Sequence, residues 1–170
     1  MTGGPRIHAD ANRSLSRLAA LTQYVGLIGF SVATIVQFLS HGDADWERRM
    51  LENGLLWLVG VQGFVFASGH LFVADRVADS IGWPRGSPFQ FEVGLANLAL
   101  GVLGVFAQGH DRDWWLATIV AFSVFYLGAA IGHVREAVTQ RNFAPGNFGA
   151  VLVFDVAAPA LLIIIYLVTD

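Results

Sequence analysis

The sequence predicts an all-α membrane protein, a polytopic bundle of five transmembrane helices. Only 14% of its 170 residues are charged, against about a quarter in a typical soluble domain. Five apolar runs separate the charged stretches, and each is near the ~20 residues that cross a bilayer. They lie at residues 18–40, 54–74, 91–108, 114–134 and 149–168. We therefore expect one membrane domain over 18–170, preceded by a cytoplasmic polar leader at 1–17.

The first two apolar runs carry small residues at helical spacing. Gly26 and Gly29 share a face of the first helix, and Gly60 and Gly63 share a face of the second. Small residues let helix backbones approach closely in lipid, where packing drives helix association. We therefore expect both faces to be helix contacts. Between the runs, residues 41–53 are acidic and predict an exposed loop.

The third helix is predicted to start after a Pro- and Gly-containing loop at 75–90. Ser87 followed three residues later by Gln90 is typical of a capping box at a helix start. Further along the helix, Gly101 and Gly104 form another stripe of small residues. The stripe predicts a close neighbour for this helix as well.

The fourth helix begins with Trp114 and Trp115, a pair typical of the aromatic belt at a membrane interface. Within that helix, Gly128 and Gly132 have the spacing of a close helix contact. Asn147 lies in the turn that follows and is predicted to cap the fifth helix.

The arginines predict the orientation of the chain, because cytoplasmic loops carry an excess of basic residues. Seven of the ten arginines fall on the side of the N-terminus and of the loops 75–90 and 135–147, and three fall on the other side. We expect a bacterial inner-membrane protein with a cytoplasmic N-terminus and a C-terminus outside.

Composition excludes several classes of function. The chain has no cysteine, which rules out disulfides, zinc–thiolate sites and thiolate-bound iron–sulfur clusters. A net charge of −3 and the lack of a basic patch argue against nucleic acid as a partner. The partners we expect are membrane lipid and either further copies of the chain or the other subunits of a membrane complex.

A weak internal repeat places histidines and carboxylates at matching positions. His70 and His133 are 63 positions apart, and Glu92 and Asp155 repeat the same offset. Each carboxylate follows its histidine by 22 positions. We therefore expect helices 2–3 and 4–5 to form two hairpins related by a pseudo-twofold axis along the membrane normal, an arrangement that many transporters show.

This topology predicts that all four side chains meet near the cytoplasmic surface and bind a divalent transition metal. Mixed imidazole and carboxylate ligands suit iron, manganese or zinc. A divalent cation would also neutralise two carboxylates that are costly to ionise together. The predicted ligands are His70, Glu92, His133 and Asp155, with Asn97 and Glu136 as neighbouring or additional ligands. An open coordination position would allow redox or hydrolytic chemistry.

Two alternatives fit the same residues. One is haem b, with His70 and His133 as axial ligands and Arg76 and Arg135 near the propionates. The other is metal-free: a proton relay or a polar lock between the hairpins of a structural or assembly subunit. In that case Asn97 would serve as a hydrogen-bonding link between helices.

The order of motifs resembles that of small uncharacterised bacterial integral-membrane proteins with four or five helices. A helix ending in Gly-His is followed by a Pro/Gly loop and then by Phe-Glu-x-Gly-x-Ala-Asn, and the resemblance covers most of residues 54–160. It implies a membrane helix bundle and assigns no activity and no role to any residue.

Overall fold

The computed structural model describes residues 21–42 and 45–169, and the regular secondary structure of these residues is entirely helical. The predicted all-α class is therefore confirmed. The helices are α1 (Val25–His41), α2 (Trp46–Phe72), α3 (Ala74–Ile81), α4 (Phe89–Phe106), α5 (Arg112–Gln140) and α6 (Ala150–Val168).

Four of these helices, α2, α4, α5 and α6, are long and apolar enough to cross a membrane. Helix α1 is apolar and shorter, with 17 residues. The count of apolar helices in the described residues thus agrees with the five that were predicted. The predicted polar leader at 1–17 lies outside the described residues.

The predicted exposed loop at 41–53 is wrong from Trp46 onward, where α2 already begins. Leu51 and Asn53 are buried, and the Asn53 amide donates a 2.7 Å hydrogen bond to Gln37 Oε1 of α1. The charged residues of this segment lie on the other side, where Arg48 pairs with Glu52 one turn later. The segment is an amphipathic helix start packed on α1, and its many charges obscured that pattern.

Helix α2 contains a π-helical segment, Leu55–Val61, directly before Gln62. The fully buried Gln62 amide inserts into the backbone of the first helix: Gly26 N donates to its Oε1 at 2.7 Å, and its Nε2 donates to Thr22 O at 3.2 Å. Gly26 and Thr22 are four residues apart, the spacing of a helical hydrogen bond. The glutamine therefore bridges two groups that would otherwise bond each other.

The predicted glycine stripes of α2 and α4 are helix contacts, as expected, and the structure shows that they face each other. A Cβ on Gly63 would lie 2.9 Å from the Gly101 Cα, and one on Gly104 would lie 2.8 Å from the Gly60 Cα. Only glycine fits at such distances, so α2 and α4 pack backbone to backbone.

The prediction that Gly128 and Gly132 mark a helix contact is wrong. Nothing lies within 4 Å of a Cβ built on either residue. Helix α5 instead packs on its neighbours through larger side chains, and Phe122 and Tyr126 are buried in the core with Leu162 of α6. Glycine spacing in the sequence could not show which face of α5 meets a neighbour, because the exposed face is apolar too.

The C-terminal end of α3 is hydrogen-bonded to the turn that follows α5. Asn142, just after α5, donates a 2.8 Å hydrogen bond to Ile81 O, and Gly146 N donates one of 3.0 Å to Ser80 O. These bonds fix the end of α3 beside the α5–α6 turn. Both turns therefore lie at the same end of the bundle.

Candidate functional site

A histidine and an aspartate face each other between α5 and α6. His133 Nε2 lies 3.6 Å from Asp155 Oδ2. Asp155 is only 2% exposed, and its Oδ2 has no hydrogen-bond partner among the described residues. Asp155 points inward because it shares a helix face with Ala158, Pro159 and Leu162, all of them buried. A buried carboxylate needs a partner, and His133 is placed to be that partner.

Asn147, which is fully buried, holds the other side of the His133 ring. His133 Nδ1 lies 2.8 Å from Asn147 Oδ1. The Asn147 amide nitrogen donates to two carbonyl oxygens, that of His133 at 3.2 Å and that of Asn142 at 2.8 Å. The predicted helix cap at Asn147 is therefore wrong. The N-cap of α6 is Gly149, and the side chain of Asn147 contacts His133 instead.

One aromatic side chain lies against His133, and others cluster around the residue before Asp155. Trp83, from the loop after α3, lies against His133 with 6.5 Å between ring centroids. Phe154, next to Asp155 in the chain, packs edge-on against Tyr126 at 5.7 Å and against Phe66 of α2 at 5.7 Å. Trp83 therefore lies against the ring of His133, and an aromatic cluster begins at the residue before Asp155.

Asn97 links the two hairpins. The buried Tyr126 hydroxyl of α5 donates a 2.7 Å hydrogen bond to Asn97 Oδ1 of α4. The Asn97 amide nitrogen donates to Val93 O at 2.9 Å, one turn earlier in α4. This hydrogen bond agrees with the metal-free alternative, in which Asn97 links helices; its predicted role beside a metal stays a prediction.

His70 of α2 has a different partner from the one predicted. Its Nδ1 contacts Gln90 Oε1 of α4. The predicted capping box at Ser87 is wrong, because Pro88 is the N-cap of α4 and no side chain caps it. Gln90 is turned towards His70, and its Nε2 has no partner among the described residues.

Glu92 does not join either histidine, because it is exposed. The inward face of α4 is defined by Gly94, Asn97 and Gly101. At about 100° per residue, Glu92 lies roughly 180° around the helix from Gly101. The repeat gave Glu92 and Asp155 the same distance from their histidines, but the packing turned one outward and the other inward.

The remaining predicted site residues are scattered. Glu136 is half-buried, while Arg76 and Arg135 are exposed. In residues 21–42 and 45–169, no three histidine or acidic side chains lie close enough together to hold a metal ion. Of the four predicted ligands, the structure brings together His133 and Asp155 only.

Three polar residues of the site carried signals that the sequence analysis did not use. Gln90 and Asn147 are amides next to apolar helices, and such side chains commonly bond across helices in membranes. Tyr126 lies seven residues before His133, two turns away on the same face. Searching the inward face of each helix for any hydrogen-bonding group would have found all three.

The loop that carries Trp83 is itself held by an ion pair outside the long helices. Arg85 Nε donates to Asp79 Oδ1 at 2.7 Å. The hydrogen bond from this guanidinium holds the pKa of Asp79 below its ordinary value. Both residues are exposed, so the pair orders the loop more than it stabilises the fold.

Comparison with known proteins adds a family to this description. No curated protein and no solved structure matches the chain. Residues 13–170 match a protein family described as a family of unknown function, DUF6790. The matched segment includes every described helix and both members of the His133–Asp155 pair, and the chain belongs to that family.

Proposed function

We propose that the chain is an integral protein of the bacterial inner membrane, with α2, α4, α5 and α6 as spans. Two observations support this proposal. The four helices have the required length and apolar character. Large apolar side chains also point outward, such as Phe72, which is 81% exposed, and Leu39, which is 78% exposed. Contiguous exposed apolar surface is typical of a face that meets lipid or another protein.

The arginine distribution supports a cytoplasmic N-terminus and therefore a cytoplasmic position for the site. Introduced cysteines test this topology. In intact cells, cysteines at the exposed Ser80 and Thr139 should resist a membrane-impermeant maleimide, while one at the exposed Glu47 should react. The opposite labelling pattern would reverse the proposed orientation.

Within this membrane protein, we propose that the His133–Asp155 contact is a metal-free polar lock between α5 and α6. The observation that carries the proposal is the direct approach of Nε2 to Oδ2 at 3.6 Å inside the bundle. An aspartate in a membrane helix costs about 2.5–3.5 kcal/mol on insertion scales. A partner on the preceding helix accounts for its buried position, and the Tyr126–Asn97 hydrogen bond is a second polar link, between α5 and α4.

A double-mutant cycle tests the lock. His133→Ala and Asp155→Ala should each destabilise the protein, and the double variant should lose less than the sum because the second change removes a group that the first left unpaired. Side chains in contact commonly couple by about 0.5–3 kcal/mol. The same cycle on His70 and Glu92, which occupy the matching positions of the first hairpin but do not meet, should be additive. Additive losses at His133 and Asp155 would refute the lock.

The metal and haem hypotheses stay predictions, with less support from the geometry. The two histidines have separate partners, and no three histidine or acidic side chains of the described residues meet. Elemental analysis and a visible spectrum of the purified protein decide between the hypotheses. We expect neither a stoichiometric transition metal nor a Soret band. Either signal, lost in His133→Ala and kept in a stable Glu92→Ala control, would replace the lock with a metal or haem site.

A further inference from the structure

We infer that His133 Nε2 and Asp155 Oδ2, which face each other, together hold one proton, and that Asn147 is the positioning residue that makes this proton necessary. The inference rests on the proposed lock, because both require the His133–Asp155 contact. It goes further because it states the protonation of the pair: the two side chains together carry one proton inside the bundle.

The first step is the orientation of the Asn147 amide. Its nitrogen lies within hydrogen-bonding distance of two backbone carbonyl oxygens, those of His133 and Asn142. Carbonyl oxygens only accept hydrogen bonds, so the group facing them must be the amide nitrogen. The reversed amide would place its oxygen against both carbonyl oxygens, where acceptors would repel each other. The orientation of Asn147 is therefore fixed by its surroundings.

The second step is the tautomer of His133. Because the Asn147 oxygen faces the ring and can only accept, the Nδ1 of His133, 2.8 Å away, must carry a proton. A neutral imidazole has one protonated nitrogen and one bare nitrogen. In neutral His133 the bare nitrogen is then Nε2, which faces Asp155.

The third step counts protons between the two side chains. An ordinary neutral histidine beside an ionised aspartate donates its own N–H to the carboxylate, but Asn147 has already used that proton on the far side of the ring. A neutral His133 and an ionised Asp155 would set two lone pairs against each other with an uncompensated buried charge, which is costly. An added proton removes this conflict, whether it makes His133 an imidazolium or Asp155 a carboxylic acid. These are two microstates of one shared proton.

No hydrogen-bond donor among the described residues reaches Asp155 Oδ2, and the His133 ring is the group that faces this oxygen. The hydroxyl of Tyr126, the other titratable group next to this aromatic cluster, donates its proton to Asn97. Trp83 over the ring and Phe66 against Phe154 are uncharged.

The charged residues one turn from His133 on the same helix are directed elsewhere or remain partly in solvent. Arg135 is exposed and Glu136 is half-buried. Within α6, as the structure describes it, Asp155 is the only acidic residue. The pair itself therefore holds the proton. Loss of the proton would leave the bare Nε2 of His133 facing an ionised Asp155 between α5 and α6.

Nuclear magnetic resonance of protein with ¹⁵N-labelled histidine, in lipid nanodiscs at neutral pH, tests the inference. His133 is assigned by its absence from the spectrum of His133→Gln. We expect a protonated Nδ1 together with one of two signatures: a protonated Nε2, or a carboxylic acid band in the infrared spectrum that Asp155→Asn abolishes. A neutral His133 protonated on Nε2 instead of Nδ1 would overturn the inference, and so would a bare Nε2 with an ionised Asp155.

A variant at Asn147, with a control at Gln90, separates positioning from simple packing. Asn147→Leu removes the acceptor, so His133 should shift its proton to Nε2 and donate it to an ionised Asp155, with loss of the shared-proton signature. Gln90→Leu, at the partner of the other histidine, should leave the His133 signals unchanged. An unchanged His133 tautomer in Asn147→Leu would overturn the role of Asn147.

The outcomes for the lock and for the proton are distinguishable. A coupled double-mutant cycle with His133 protonated only on Nε2 would keep the lock and reject the shared proton. An uncoupled cycle would reject the lock itself. If Asn147→Leu does not fold, the wild-type and Asp155→Asn spectra still decide where the proton lies.

Discussion

Replacing Gly104 by alanine tests whether α2 and α4 are held backbone to backbone. The new Cβ would lie 2.6 Å from the carbonyl oxygen of Leu55 and 2.8 Å from the Cα of Gly60. Ordinary van der Waals contact begins at 3.4 Å, so the two contacts fall 0.6–0.8 Å short. Both obstacles are backbone atoms of α2, which no rotamer change can move. The helices must separate, or α4 must shift along α2.

Overpacking of this kind costs typically 1–3 kcal/mol, and an unyielding backbone argues for the upper part of that range. Alanine also gains up to about 1 kcal/mol over glycine in a helix interior. The matched control is Gly128→Ala in α5, where nothing lies within 4 Å of the new Cβ. The helix-propensity gain is common to both variants, so their difference isolates the steric cost.

The assay is equilibrium unfolding in mixed micelles, followed by circular dichroism and tryptophan fluorescence. We expect Gly104→Ala to be less stable than Gly128→Ala by about 1–3 kcal/mol, with Gly128→Ala at or above the stability of the wild type. Equal stability of the two variants would show that α2 and α4 are not in contact at Gly104.

Three further predictions concern polar contacts. Gln62→Leu removes both hydrogen bonds to the first helix and should lower the free energy of unfolding by about 1–3 kcal/mol. Hydrogen exchange at the Gly26 amide should become faster, and unchanged exchange would show that Gln62 does not bond this amide. Tyr126→Phe leaves a buried amide oxygen without its donor and should cost about 1–3 kcal/mol in the same unfolding assay, whereas full stability would show that the bond contributes nothing. The Asp79–Arg85 pair should stabilise the loop above pH 3.8 and lose this effect as the pH falls through the lowered pKa of Asp79. In Arg85→Gln, the ¹³C titration of the Asp79 carboxyl should move to higher pH. An unmoved titration would rule the pair out.

The sequence by itself determined the helical class and the positions of the long apolar helices. The predicted run at 149–168 corresponds to Ala150–Val168, and the run at 91–108 overlaps Phe89–Phe106. These predictions succeeded because a helix that can cross a bilayer needs about 20 apolar residues in a row. Such runs can be recognised from the sequence without any tertiary information. The close contact of the Gly60 and Gly104 stripes was also predicted from glycine spacing, although the same spacing was misleading at Gly128 and Gly132.

Only the tertiary structure decided which polar residues meet. The repeat placed Glu92 and Asp155 at equivalent positions, yet the first is exposed and the second buried. In a water-soluble helix the polar face would show which side points outward. In a membrane helix both the lipid-facing and the core-facing sides are apolar, so periodicity cannot tell them apart. The exposed Gly128 was misjudged for the same reason.

The protonation of the site is likewise a property of the assembled structure. The sequence showed that His133 and Asp155 are 22 positions apart and on neighbouring helices. It assigned Asn147 to a helix cap, a role that short polar side chains commonly take in turns. The turn after α5 instead brings Asn147 against the His133 ring and two carbonyl oxygens at once. The tautomer, and with it the shared proton, depends on those three distances, which no spacing in the sequence encodes.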